Sequence, residues 1–177
     1  MDLWNKKIFI TNGSGASGKD TVATIIGKYF PIMKYSSIDG VKELAKNMGW
    51  TGSKTERDRK FLSDLKKILI DYNDFPCKDV SDTIEDFLQD FCPKQICIID
   101  IREPEEIDKI KNKYKDCDIV TILVKSNRVN SIISNESDKY VNEYNYDYII
   151  ENNGTLEDLE DAVILLLKDL GFNHAKF

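Results

Sequence analysis

Seven consecutive residues, Gly13-Ser14-Gly15-Ala16-Ser17-Gly18-Lys19, follow the order G-x-x-x-x-G-K. Glycines in this order let successive backbone N–H groups converge on a phosphate, a helix starting behind them presents its positive end, and the lysine reaches the outer phosphates of a nucleoside triphosphate. The bland alternative is a glycine-rich turn with no ligand. The next residue is Asp20, where the general pattern has a Ser or Thr whose hydroxyl ligates Mg²⁺; Thr21 comes one place later.

A second group is Asp100 and Arg102, at the end of the apolar run Ile96-Cys97-Ile98-Ile99. Open α/β sheets bind ligands at the carboxyl ends of their strands. A carboxylate there orders the water around a metal ion, and an arginine just beyond meets a phosphate. The competing reading pairs both residues with neighbours at the strand end. Only four of the twenty-five basic residues are arginines, Arg57, Arg59, Arg102 and Arg128. Lysine therefore serves general solubility, and each arginine is a candidate for a site that needs a planar two-pronged donor.

The elements that must position these groups follow from periodicity. Lys6 to Asn12 reads as a buried strand, with the glycine loop immediately after it, and Asp20 to Phe30 as a helix stopped by Pro31. Met33 to Ser36 is a short strand, and Asp39 to Met48 a helix ended by Gly49. From Lys54 to Tyr72 the residues Phe61, Leu62, Leu65, Ile68, Leu69 and Tyr72 share one helix face. Val80 to Phe91 predicts another helix, with Ile84, Phe87, Leu88 and Phe91 inward. Gln95 to Ile101 is a strand, Pro104 to Tyr114 a helix, Asp118 to Val124 a strand, Ser126 to Lys139 a polar segment, and Tyr146 to Ile150 a strand. Thr155 to Leu170 closes the chain as a helix capped by Thr155 and Asp158, with Gly171 past its end. Alternation of strands and helices predicts a three-layer α/β fold with a five-stranded parallel sheet, in one domain.

Composition narrows the function. At 177 residues and net charge −6, the chain lacks the basic footprint that nucleic acid or an anionic membrane demands. No run approaches the about 20 apolar residues of a membrane span, and the N-terminus lacks the order of a signal peptide, so a cytoplasmic location is expected. Cys77, Cys92, Cys97 and Cys117 include no C-x-x-C pair and read as reduced thiols; His174 is the sole histidine. Zinc and histidine-based catalysis are not expected.

Three stretches together resemble a known group. Ser17-Gly18-Lys19-Asp20-Thr21 is similar to the S-G-K-D-T of bacteriophage deoxynucleoside monophosphate kinases, and animal-type phosphomevalonate kinases share S-G-K-D. Asp100-Ile101-Arg102-Glu103-Pro104 resembles the D-x-R of the phage-type group. Asp147-Tyr148-Ile149-Ile150-Glu151-Asn152-Asn153-Gly154-Thr155-Leu156 resembles an ending found there and in dephospho-coenzyme A kinases. The resemblance implies a P-loop NTPase fold of the nucleoside-monophosphate-kinase type, using ATP and Mg²⁺, with Asp20 in place of the usual hydroxyl at the metal and Asn152, Asn153 and Gly154 beside the adenine. The same three residues serve equally well as a plain turn before a capped helix.

By the same likeness the acceptor site spans about 36–92. Ser37, Asp39 and Lys42 lie at its entrance, with Lys54, Arg57 and Arg59 at the start of the long helix. Arg128 falls in a short lid of about 126–140. Single members of these basic runs are equally readable as solvated surface. The expected partner is a small phosphorylated acceptor, with its identity and the oligomeric state open. Kinases of phosphomevalonate, of a nucleoside or of dephospho-coenzyme A remain alternatives, as does a regulatory protein that binds ATP without turnover.

Overall fold

A computed structural model describes residues 6–89, 91–128 and 141–173. Most of the expected lid, 129–140, and His174 lie outside the described residues. The sheet contains β1 (Lys7–Asn12), β2 (Ile32–Ser36), β3 (Ile96–Asp100), β4 (Asp118–Lys125) and β5 (Tyr148–Glu151), in the order β2-β3-β1-β4-β5. All the pairings are parallel, and the register sets Thr11 beside Asp100 and Asn12 beside Leu123.

Period-two alternation decides which face each strand residue serves. Phe9, Ile96 and Ile98 join one apolar cluster with Val22, Ile25, Ile26, Val163 and Leu167. These come from α1 (Lys19–Tyr29) and α6 (Leu156–Asp169), the helices of that face. Ile8, Ile10, Cys97, Ile99 and Ile101 point the other way, against Val80, Ile84, Phe87, Ile107 and Ile110. Those residues belong to α4 (Phe75–Leu88) and α5 (Pro104–Lys113). The expected three layers are present. The central strand β1 is buried along its whole length, so its polar last residues, Thr11 and Asn12, have no solvent to satisfy them and must bond within the fold.

The helix ends follow the expected capping chemistry. Thr155 and Asp158 form a reciprocal capping box on α6, and Gly171 takes the left-handed conformation just past its end. Gly49 does the same after α2 (Asp39–Asn47).

Three expectations are corrected. The long helix α3 (Glu56–Asn73) begins after Lys54, with Thr55 as its cap, and its buried residue is Lys66; Ile68 and Tyr72 are 62% and 83% exposed. One stripe of α3, containing Leu62, Ser63, Lys66, Lys67 and Ile70, instead faces a cleft. Of the six apolar positions on the expected face, only Leu62 lines that cleft, and Ile68 and Tyr72 lie on open surface. The helix α4 starts at Phe75, five residues earlier than Val80, because Asp74 in the left-handed region breaks the chain from α3 and Pro76 fits the first helical turn. It ends before Phe91, which is 82% exposed rather than inward. Finally, β5 starts at Tyr148, two residues after Tyr146, whose hydroxyl is engaged elsewhere.

Candidate functional site

The site begins where β1 runs out. Gly13 follows Asn12 with φ 150°, and a side chain there would press on the Val124 carbonyl at 2.4 Å and the Ser17 hydroxyl at 2.5 Å. Gly18 caps α1 with φ 107° and contributes no side-chain cap, and Asn152 Nδ2 would lie 2.4 Å from an added Cβ. Torsion favours glycine at both positions of the motif, and at Gly13 the close approach of the Val124 backbone does so as well. Ala16 also holds a positive φ of 61°, a conformation costly for a residue with a Cβ. Lys19 bends back over the loop, its Nζ donating to the carbonyls of Gly13 at 2.6 Å and Ser14 at 3.2 Å.

Beside the loop stand Asp20 and Asp100. Lys34, from β2, places its ammonium between them, hydrogen-bonded to Asp20 and 3.8 Å from Asp100 Oδ2. Thr11 donates its hydroxyl to Asp100. The hydrogen bond from Lys34 pulls the Asp20 carboxyl below its usual range. Burial pushes that of Asp100 up, against the opposing pull of Thr11, Lys34 and Lys19. The two carboxylates already share one cation, and oxygen donors suit a hard divalent ion. Among the described residues no three metal-binding side chains cluster. The pair thus fits Mg²⁺ held jointly with nucleotide phosphates, and it does not form an all-protein cage.

The cleft, of 2190 Å³, continues from Gly13–Thr21 past Asp100 and Arg102 to a second wall with Ser37, Asp39, Lys42, Lys54 and Arg59. Asp39 accepts from the Ser36 amide at 3.0 Å and from Lys42 Nζ at 2.8 Å, which fixes the entry to α2. The Ser37 amide donates to the Asp100 carbonyl at 3.0 Å, tying that entry to the end of β3. Arg59 reaches the Lys54 carbonyl through Nε at 3.3 Å.

The structure does not bring every expected residue to the cleft. Arg57 is exposed and does not line it. Nor is the first turn of α3 simply basic: Glu56 and Asp58 complement the helix dipole there, and Asp58 completes a capping box with Thr55. Asn152 braces the phosphate loop from behind, donating to the Ser17 carbonyl at 3.0 Å. The Asn153 side chain accepts the Asn127 amide at 2.7 Å. Arg128 is exposed and donates to the carbonyls of Asn153, at 3.1 Å, and Gly154.

Two residues were missed by sequence reasoning. Lys34 is one of twenty-one lysines, with no local mark to single it out. The other is Lys66, which is 8% exposed and whose Nζ lies 2.7 Å from Glu103, 3.0 Å from Glu106 and 3.5 Å from the Ser37 hydroxyl. This cluster ties α3 to α5 at the cleft wall. Burial pushes the Glu106 carboxyl up to about 7, with Lys66 opposing and Glu103 reinforcing the shift. The available signal was its helical spacing, with Leu62, Leu69 and Ile70 one turn away.

No family model and no curated protein sequence matches the chain. Solved structures do. A tunicamycin resistance protein from Deinococcus radiodurans is 10% identical with a TM-score of 0.59, covering 96% of this chain and 98% of that one. A sugar kinase from Janibacter sp. HTCC2649 is 11% identical with a TM-score of 0.51, covering 92% and 95%. An APS kinase from Mycobacterium tuberculosis is 12% identical with a TM-score of 0.50, covering 93% and 98%. At such identities the likeness concerns the fold. The chain has an α/β P-loop kinase-like fold with a five-stranded parallel sheet.

Proposed function

We propose that the chain is an ATP-dependent phosphotransferase of the nucleoside-monophosphate-kinase kind, moving the γ-phosphoryl group of ATP to a phosphate already carried by a nucleoside or deoxynucleoside monophosphate. The observation that carries this reading is one continuous cleft, with a glycine loop at one wall, a basic helix stripe at the other, and Asp100 and Arg102 between them. A regulatory ATP-binding protein needs only the first wall. The S-G-K-D-T run and the D-x-R pair favour the deoxynucleoside monophosphate kinases of phage type.

In this reading the backbone amides of Gly13–Lys19 and the start of α1 bind the donor phosphates, and Lys19 leaves the Gly13 and Ser14 carbonyls for the outer phosphates. Asp20 and Asp100 would hold Mg²⁺, which would supply charge neutralisation for the donor phosphates. Arg102 meets the phosphoryl group in flight, and Lys42, Lys54 and Arg59 hold the acceptor phosphate, with Ser37 and Asp39 orienting it. Arg128, released from the Asn153 and Gly154 carbonyls, adds a further donor at the phosphates. Arg57 contributes charge at the rim, and Asn152, Asn153 and Gly154 border the adenine. An acceptor phosphate is ionised at neutral pH, so catalysis is positioning and charge stabilisation without a strong base.

A coupled ADP-release screen tests the reading across nucleoside and deoxynucleoside monophosphates, with nucleosides, phosphomevalonate and dephospho-coenzyme A beside them. Release above the water background with at least one monophosphate is expected. Release only with a hydroxyl acceptor or phosphomevalonate would move the chain to another kinase class, and none at all would leave an ATP-binding protein.

A further inference from the structure

The structure assigns to Asn12 and Tyr146 a joint positioning role, in which one buried amide sets the phosphate loop against Arg102 and the cleft wall at Val141. The role rests on the phosphotransfer reading. Asn12 is the last residue of β1 and is 0% exposed. Its Oδ1 accepts the Gly13 amide at 2.7 Å, at the point where the loop begins. Its Nδ2 donates to the Arg102 carbonyl at 3.0 Å and to the Tyr146 hydroxyl at 2.8 Å. The hydroxyl, having accepted, donates onward to the Val141 carbonyl at 2.9 Å.

Every bond in this chain has a defined direction, so only an amide at position 12 satisfies it. A carboxylate there keeps the bond to Gly13 but faces the Arg102 carbonyl with a second acceptor. An aliphatic side chain removes the partner of the buried Gly13 amide and those of the partly buried Arg102 carbonyl and Tyr146 hydroxyl. Three parts of the cleft lining meet here: Gly13, Arg102 and Val141. Asn12 is separated in sequence from Arg102 by 90 residues and from Tyr146 by 134. Tyr146 is held in turn by its ring, which meets Tyr144 edge-on at 5.1 Å and packs on the apolar cluster of α4 and α5. Its hydroxyl is kept neutral by burial, which pushes it up to about 12, so the link does not vary across physiological pH.

The role differs from structural support in what it predicts. Removing the Tyr146 hydroxyl leaves the packed ring and Asn12's bond to Gly13, so nucleotide affinity should persist while the Arg102 loop loses its register. For Tyr146→Phe we expect kcat to fall about tenfold with the KM for MgATP within about twofold. The double variant Asn12→Asp/Tyr146→Phe should be no worse in kcat than Asn12→Asp alone, since both break one chain. Amide hydrogen exchange without nucleotide supplies the readout that needs no activity. Tyr146→Phe should speed exchange in peptides around Arg102 and of 141–146, but not in the 13–18 loop, α1 or α6. Phosphotransfer by the wild type with Tyr146→Phe unchanged in kcat and in exchange would overturn the inference. A drop in kcat matched by an equal rise in KM for MgATP would also overturn it. The expected exchange pattern in a protein that releases no ADP would preserve the link while removing the phosphotransfer reading.

Discussion

The two walls of the cleft, donor and acceptor walls in the proposed function, are built by opposite means. At the donor wall the geometry is backbone, hung from the fully buried strand β1 and locked by glycines whose extra Cβ would collide with neighbours. At the acceptor wall it is side chains on α3, a helix that buries little besides Lys66 and is held by that residue's charges to Glu103 and Glu106. Core packing fixes the first wall to a fraction of an ångström. Charge pairs fix the second, and they respond to pH, salt and ligand. In the proposed function a rigid cradle thus holds the donor, whereas the acceptor wall can be altered residue by residue without disturbing it.

The sharpest way to break this comparison is at the junction of the walls. Asp20→Ala should lower Mg²⁺-dependent kcat by about a hundredfold or more, with little change in nucleotide affinity measured without metal. If Asp20→Ala keeps full activity and Thr21→Ala loses it, the metal role belongs to the hydroxyl. Next comes the arginine at the meeting point. Arg102→Lys keeps the charge but loses the fork, and kcat/KM should fall about ten- to a thousandfold. Arg128→Lys should cost less, since its guanidinium rests on backbone carbonyls outside the cleft lining. Steady-state kinetics with melting curves alongside separates these effects from unfolding.

The acceptor wall carries a pH signature of its own. With its carboxyl at about 7 in the fold against 4.5 unfolded, Glu106 keeps a proton between those values that the unfolded chain has released. Its contribution is present at low pH and lost as pH rises through about 4.5 to 7, the reverse of an ion-paired carboxylate. Denaturant titrations should show wild type losing roughly 1–3 kcal/mol from this group between pH 5 and 8, and Glu106→Gln losing none of it. Parallel curves for the two proteins would remove Glu106 as the source. The smallest effects separate two neighbouring arginines. Arg59→Lys, in the cleft, should raise the acceptor KM about three- to tenfold, whereas Arg57→Lys, outside its lining, should leave kinetics within about twofold.

The same contrast explains what the sequence made legible. The donor wall is contiguous, seven residues between a strand and a helix, and the strand-end pair Asp100 and Arg102 follows an apolar run that marks its own end. The acceptor wall is assembled from α2, α3 and α5, and nothing local in Lys66 names a glutamate 40 residues away as its partner. The apolar spacing of α3 located the helix but not its surroundings, since only Leu62 of that face lines the cleft while Ile68 and Tyr72 are exposed. Asn12 and Tyr146 were invisible for the same reason at greater range, being 134 residues apart.

The central claim is that Gly13–Lys19 cradles the phosphates of ATP, and isothermal calorimetry of MgATP binding tests it most directly. Wild type should bind, and at a hundredfold excess over its Kd the nucleotide should stabilise the fold by about 2.7 kcal/mol in parallel melting curves. Lys19→Ala should remove most of both signals while keeping the melting temperature of the free protein. Absence of heat and of any melting shift for the wild type in millimolar MgATP would contradict the account.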